Sequence, residues 1–193
     1  MDDATTLVAT EYFPRISTVR QMMLAQKVWL AYGETYQKNS LRNRCYLASG
    51  QGLQRLSVPL RKGKHQSQKI YKVKIAYEED WPLQHLKAME TNYRSAPFFL
   101  HFVDPVRLIL ESRPEYLVDL NWKILSLLFN VFRWHPDIAC HMEFSSPAKS
   151  TISPTVKLRP YNQVFAGRFG FLADLSILDL LFCMGPEPKY ILP

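Results

Sequence analysis

The hydrophobic period of this chain changes once, near residue 80, and no other feature does more to limit the folds open to it. Before Tyr77 apolar residues alternate at period two, and after Asp80 they recur at helical spacing. Over residues 53–60, Leu56, Val58 and Leu60 oppose Arg55, Ser57 and Pro59; over 69–77, Tyr71, Val73, Ile75 and Tyr77 oppose Lys72 and Lys74. Both patterns are those of half-buried strands. Residues 28–32, ended by Gly33, and 44–48 supply two more strands, and Ser49-Gly50-Gln51-Gly52 makes a turn. Short polar connections between successive strands favour antiparallel pairing.

The helical half opens where Asp80 is placed to cap a helix starting at Trp81-Pro82, with Leu83, Leu86, Met89 and Tyr93 on one face. Residues 98–103 continue apolar and 105–112 read as a short helix. Residues 115–133 carry the widest stripe, made of Leu117, Leu120, Ile124, Leu127, Leu128 and Val131. A last helix spans 176–184 and is closed by Gly185-Pro186. A short helix from Ser17 or Thr18 to Gln26 precedes the strands, and residues 1–11 read as a loose start. Residues 135–170, rich in Pro, Ser and aromatics, predict an irregular stretch with one or two short strands, one at 155–158. Strands followed by helices predict an α+β fold: a small, mostly antiparallel sheet from the N-terminal half, packed with helices from the C-terminal half. Residues 1–193 read as one domain. No basic, apolar leader opens the chain and no apolar run reaches the ~18 residues of a membrane helix, so the expectation is a cytoplasmic protein without a membrane span.

Charge is concentrated. Ten of the 24 Lys and Arg lie between Thr35 and Tyr77, a window without Asp or Glu, which leaves 14 to face all 17 acidic residues elsewhere. Such an excess gathers anions: a phosphorylated small molecule, a nucleotide-linked sugar, or nucleic acid. For Lys62, Lys64, Lys72 and Lys74 the alternative is solubility and protection of strand edges. No RNA- or DNA-binding signature accompanies the cations, which disfavours nucleic acid.

Three constellations carry chemistry. The loop Tyr36-Gln37-Lys38-Asn39-Ser40-Leu41-Arg42-Asn43-Arg44 packs three cations, two Asn and a Gln, a hydroxyl and a phenol between two apolar strands. Arg forks match phosphate oxygens, and Asn and Gln read hydroxyls and amides. The loop either binds a ligand or ties down the strand ends. His85, one turn into a helix after Glu78-Glu79-Asp80, is either a general base or a partly buried histidine bonded to backbone. Asp179 is a lone carboxylate in the apolar run 175–182; it faces solvent, meets a partner such as an arginine, or serves a site. GxSxG, GxxxxGK[ST], GxGxxG and HExxH are all absent, and the sequence leaves any cofactor unknown. Cys45, Cys140 and Cys183 are odd in number and widely spaced, and predict free thiols rather than disulfides or a metal centre.

In order, these stretches resemble the WbqC-like family. The resemblance rests on Glu11-Tyr12-Phe13-Pro14, Tyr36-Gln37-Lys38, Arg42-Asn43-Arg44, Leu56-Ser57-Val58-Pro59-Leu60, Trp81 with His85, and Tyr93 with Ala96-Pro97-Phe98-Phe99. It continues through Asp119-Leu120-Asn121, Gln163-Val164-Phe165, Gly170-Phe171 and 175–182 before Gly185-Pro186. The resemblance implies a bacterial protein of O-antigen or other surface-polysaccharide biosynthesis. It suggests transfer of an acyl or aminoacyl group to a nucleotide-linked amino sugar, with Tyr36, Gln37, Lys38, Arg42, Asn43 and Arg44 binding substrate and His85 and Asp179 catalytic. Family members often carry Asn where this chain has Cys183, and many begin with His-Gln-Pro where this one has Ala9-Thr10-Glu11-Tyr12. The alternative is a non-catalytic protein that uses the same loop to hold an anionic ligand or partner.

Overall fold

Two sheets of opposite kind organise the chain, in a computed structural model that describes residues 5–61, 68–143 and 158–187. The first is parallel, with strand order β1 (Thr5–Val8), β2 (Lys27–Leu30) and β5 (Asp137–Cys140). The second is an antiparallel hairpin, β3 (Arg44–Ser49) and β4 (Gly52–Ser57), in the register Arg44↔Ser57 to Ser49↔Gly52. The α+β character therefore holds, but the expectation of a mostly antiparallel sheet in the N-terminal half is corrected. Strand β1 arises from the stretch read as a loose start, and helix α1 (Ile16–Leu24) carries the chain back so that β2 runs in the same direction. Parallel strands need such a crossover. The third strand comes from residues 137–140, across more than a hundred residues, which no local period announces.

Residues 69–77 do not form a strand. They make a one-turn 3-10 helix, Ile70–Lys72, and then form isolated bridges outside both sheets, Leu60↔Ile75 and Lys74↔Tyr116. Ile70, Val73 and Ile75 are buried, and the Ile70–Val73 spacing of three is that of a tight turn. Of the strand expected at 155–158, all but Leu158 lies outside the described residues.

Helices α2 (Trp81–Tyr93), α3 (Phe99–Glu111), α4 (Leu117–Val131) and α6 (Ile177–Met184) lie where the apolar spacing put them, with a one-turn α5 (Ala166–Phe169) between the last two. Residues 98–112, read as an apolar stretch and a short helix, form the single helix α3 with Pro105 inside it. Pro105 removes the N–H that would bond the carbonyl of His101, and His101 is exposed, so water reaches the unpaired group. Asp80 precedes α2 but caps nothing; its carboxylate pairs instead with Arg113 at 3.0 Å. Leu83, expected inward, is exposed, while Leu86, Met89 and Tyr93 are buried. Ser176 caps α6 by accepting the Leu178 N–H, and Gly185 ends that helix at φ 72°. One contiguous apolar core runs from Val8 to Cys183 and includes residues of both sheets and of α1, α2, α3, α4 and α6. Among the described residues no helix is long and apolar enough to cross a membrane.

Gly33 sits where β2 leaves the sheet and its N–H bonds His141 just past β5 at 2.9 Å. A Cβ at this position would stand 1.8 Å from the carbonyl oxygen of Met142, against backbone that has no flexible end to move. Gly33→Ala is expected to lower stability by about 2–4 kcal/mol, by forcing the chain beyond β2 and β5 apart. Urea denaturation of the two proteins measures it; an unchanged midpoint would contradict this packing.

Candidate functional site

The loop 36–44 begins past the carboxyl end of β2 and splits into a buried half and an exposed half. Glu34, fully buried, receives both arms of Arg42: Nε donates to Oε1 at 2.7 Å and Nη2 to Oε2 at 2.5 Å. The Arg42 carbonyl accepts from Asn121 Nδ2 at 2.9 Å, and the Leu41 carbonyl from the Tyr12 N–H at 3.0 Å. Asn43 is buried as well. Its Nδ2 donates to the Val58 carbonyl at 2.9 Å, its carbonyl accepts from the Val58 N–H at 2.8 Å, and its Oδ1 accepts from Tyr36 OH at 3.1 Å. Burial raises the Tyr36 phenol above its ordinary pKa, against the pull of the Arg44 and Arg42 charges. Gln37, Lys38 and Asn39 are exposed. Asn39 takes the left-handed conformation at φ 59° and accepts from Arg44 Nη2 at 2.8 Å.

Arg42, expected to bind substrate, has its fork filled by the Glu34 carboxylate. Glu34, Asn121 and Thr10, which takes a second bond from Asn121 Nδ2 at 3.3 Å, were not singled out from the sequence. Glu34 lies one residue before the cationic window, and eight residues before its partner.

His85 makes no direct bond to this loop but is joined to it through Tyr12, whose N–H donates to the Leu41 carbonyl, and through Ser57, the strand partner of Arg44. It is buried against Tyr12 and Trp81, with ring centroids at 5.7 and 5.1 Å. Nδ1 pairs with Tyr12 OH at 2.8 Å, and the ring also bonds the Ser57 backbone. Burial lowers its pKa from 6.5 to about 4, so the imidazole is neutral at pH 7. Asp179 does not orient it. Asp179 is fully buried and accepts from Tyr93 OH at 2.7 Å, Tyr161 OH at 2.5 Å and Gln163 Nε2 at 2.9 Å. Of the alternatives the sequence left open, Asp179 meets partners, and these are two phenols and an amide rather than an arginine. Burial raises the Asp179 pKa, and these three donors oppose the rise.

The structure brings together Tyr36, Arg42 and Asn43 as buried supports, with Gln37, Lys38 and Arg44 above them. It leaves His85 and Asp179 on separate sets of partners, neither bonded to the other nor to the loop. Near Asp179 a shallow groove of about 510 Å³ is lined by Pro97, Phe98, Gln163 and Cys183 among others. The Cys183 thiol, pushed up to about 12 by burial, stays protonated at neutral pH, which does not suit a nucleophile. Among the described residues no three His, Cys, Asp or Glu side chains gather to hold a metal ion.

The sequence model of the WbqC-like protein family matches residues 10–157. The chain is 29% identical over 196 residues to the uncharacterized protein Rv1507c of Mycobacterium tuberculosis (strain ATCC 25618 / H37Rv), covering 81% of this chain and 83% of that protein. No solved structure matches.

Two stability tests probe these supports. The unfolded chain binds a proton at His85 near pH 6.5, whereas the folded chain binds it only near pH 4. Stability is therefore full above about pH 6.5 and falls with pH down to about 4, by roughly 3 kcal/mol from this group. Urea titrations between pH 4.5 and 7 should show a shallower pH slope for His85→Gln than for the parent; equal slopes would mean that His85 is not buried in its neutral form. Glu34→Gln should cost about 3–5 kcal/mol, since it strands the Arg42 charge, while Glu34→Leu combined with Arg42→Met should recover most of that loss. The same denaturation measurement decides whether the pair behaves in this way.

Proposed function

Because this chain belongs to the WbqC-like protein family, we propose that it serves bacterial surface-polysaccharide biosynthesis of the O-antigen type, in the cytoplasm, by acting on a nucleotide-linked amino sugar. One observation carries the ligand class. The loop 36–44 is propped from beneath by neutralised, hydrogen-bonded groups; Gln37, Lys38 and Asn39 are exposed above it, and the half-buried Arg44 is bonded to Asn39. A loop fixed in advance loses little entropy when it binds. Lys offers phosphate a point charge and Arg a planar fork, and the amides suit sugar hydroxyls or acetamido groups. The loop follows the carboxyl end of β2 in a parallel sheet, the edge at which ligands of open α/β sheets collect.

The reaction in this reading is transfer of an acyl or aminoacyl group to the sugar amine. The notion of one domain over residues 1–193 belongs to the same proposal. A second reading, binding without catalysis, is favoured by one specific observation: His85 has both Tyr12 and the Ser57 backbone on its ring and a depressed pKa, a poor arrangement for taking a proton from an amine.

Nucleoside-diphosphate amino sugars should raise the melting temperature of the parent protein, and Lys38→Ala or Arg44→Ala should weaken their binding about three- to tenfold by calorimetry. If none of these sugars binds, the proposal fails. If they bind and acyl donors yield a product, His85→Gln separates the readings further, because unchanged turnover would remove His85 from catalysis.

A further inference from the structure

We infer that the loop 36–44 is one half of a diphosphate clamp, whose other half is the segment 68–72, with Lys38, Arg44, Lys69 and Lys72 as its cations. The inference rests on the reading above for the identity of the natural ligand, but the clamp itself follows from how the fold joins two basic segments. Thr35 pairs with Lys69 in an antiparallel bridge, flanked by Tyr36 N–H to the Gln68 carbonyl and Ile70 N–H to the Glu34 carbonyl, both at 2.9 Å. Tyr36 and Ile70 are buried. Side chains alternate across extended backbone, so Thr35, Gln37 and Lys69 turn to the opposite, outer side. Lys38 and Lys72, three residues along from Thr35 and Lys69 respectively, are exposed, Lys72 with its Nζ 5.6 Å from the centre of the Tyr71 ring. Arg44 is drawn to the same loop by its bond to Asn39, a neutral amide that leaves the guanidinium charge uncompensated.

Charge bookkeeping points the same way. Among the described residues Lys38, Arg44 and Lys72 have no carboxylate within ion-pair distance. Glu34, the acidic residue closest to the loop in sequence, is occupied beneath it by Arg42. Lys74, in contrast, is held by Glu115 at 2.6 Å and stands outside the clamp. Cations gathered on one face repel one another, and an anion placed between them relieves that cost. Two basic segments joined side by side suit two linked phosphates better than one. This is the group that a nucleotide-linked sugar carries.

Inorganic pyrophosphate is the direct probe, used on the full chain by calorimetry and thermal shift at two salt concentrations. Pyrophosphate is expected to raise the melting temperature and to bind more weakly at the higher salt. Lys38→Ala and Lys72→Ala should each weaken it about fivefold, and Lys74→Ala less than twofold. These are surface changes that leave the core intact. If Lys38→Ala weakens binding while Lys72→Ala matches the parent, the second half of the clamp is wrong, though a nucleotide sugar held by the loop alone survives. If pyrophosphate binds through both segments but no nucleotide-linked sugar competes, the clamp stands and the sugar reading falls. Absence of pyrophosphate binding overturns the clamp outright, as does single-stranded RNA that binds the same face and is not displaced by pyrophosphate.

Discussion

A carboxylate taken out of water has to be met by donors, and in this protein three such groups, Glu11, Glu34 and Asp179, fix how distant parts of the chain come together. Each is answered differently. Glu11 accepts from Thr18 Oγ1 at 3.0 Å and pairs with Arg15 at 3.4 Å, tying the end of β1 to α1. Glu34 takes the Arg42 fork and so ties the chain beyond β2 to the loop that leads into β3. Asp179 takes two phenols and an amide, joining α6 to the end of α2 and to the segment that carries Tyr161 and Gln163. An unpaired carboxylate in such a place costs several kcal/mol, so each cluster holds its position against the alternatives.

The consequence for function is a division of labour. The polar side chains of the interior, Arg42, His85 and Asp179, are each held by partners within the fold, whereas Gln37, Lys38 and Asn39 stand exposed on the loop. Arg42 and Asn43 hold the ends of a loop in which Asn39 adopts a strained turn. The strain is tolerated because both ends are over-determined by hydrogen bonds.

How much of this was legible depended on how local the signal was. Helices α2, α4 and α6 and the hairpin β3–β4 were readable because each carries its own period, cap or glycine turn within a few residues. The parallel sheet was not, since four-residue strands hold only two repeats of the pattern, and the pairing of β2 with β5 crosses the whole helical region. The segment 69–77 misled for a related reason: Tyr71, Val73, Ile75 and Tyr77 alternate in sequence, yet Ile70 goes inward with Val73 and Ile75, while Tyr71 and Tyr77 are only half-buried. In the loop, counting charges drew attention to a basic stretch but missed the buried carboxylate that pairs with it. A window drawn between acidic residues excludes Glu34 by one position, so Arg42 looked free. Asp179 was correctly judged to need company, but composition does not tell a phenol from a guanidinium as the donor.

The same logic constrains how the loop recognises a ligand. Its supports are neutral as units: the Glu34–Arg42 pair cancels, and Asn43, Tyr36 and Asn121 contribute dipoles only. Fields at the surface therefore come from the outer cations, which water and salt screen, so charge alone gives attraction without much discrimination. Discrimination has to come from groups held at fixed angles, and those are the amides of Gln37 and Asn39 together with the Arg44 fork. Because the props beneath are formed before any ligand arrives, their entropy cost is borne by folding rather than by binding. Under the proposed reading the loop would hold an anionic sugar derivative as a stiff ledge rather than in a deep cavity, and the buried Glu34 carboxylate at its base is what stiffens it.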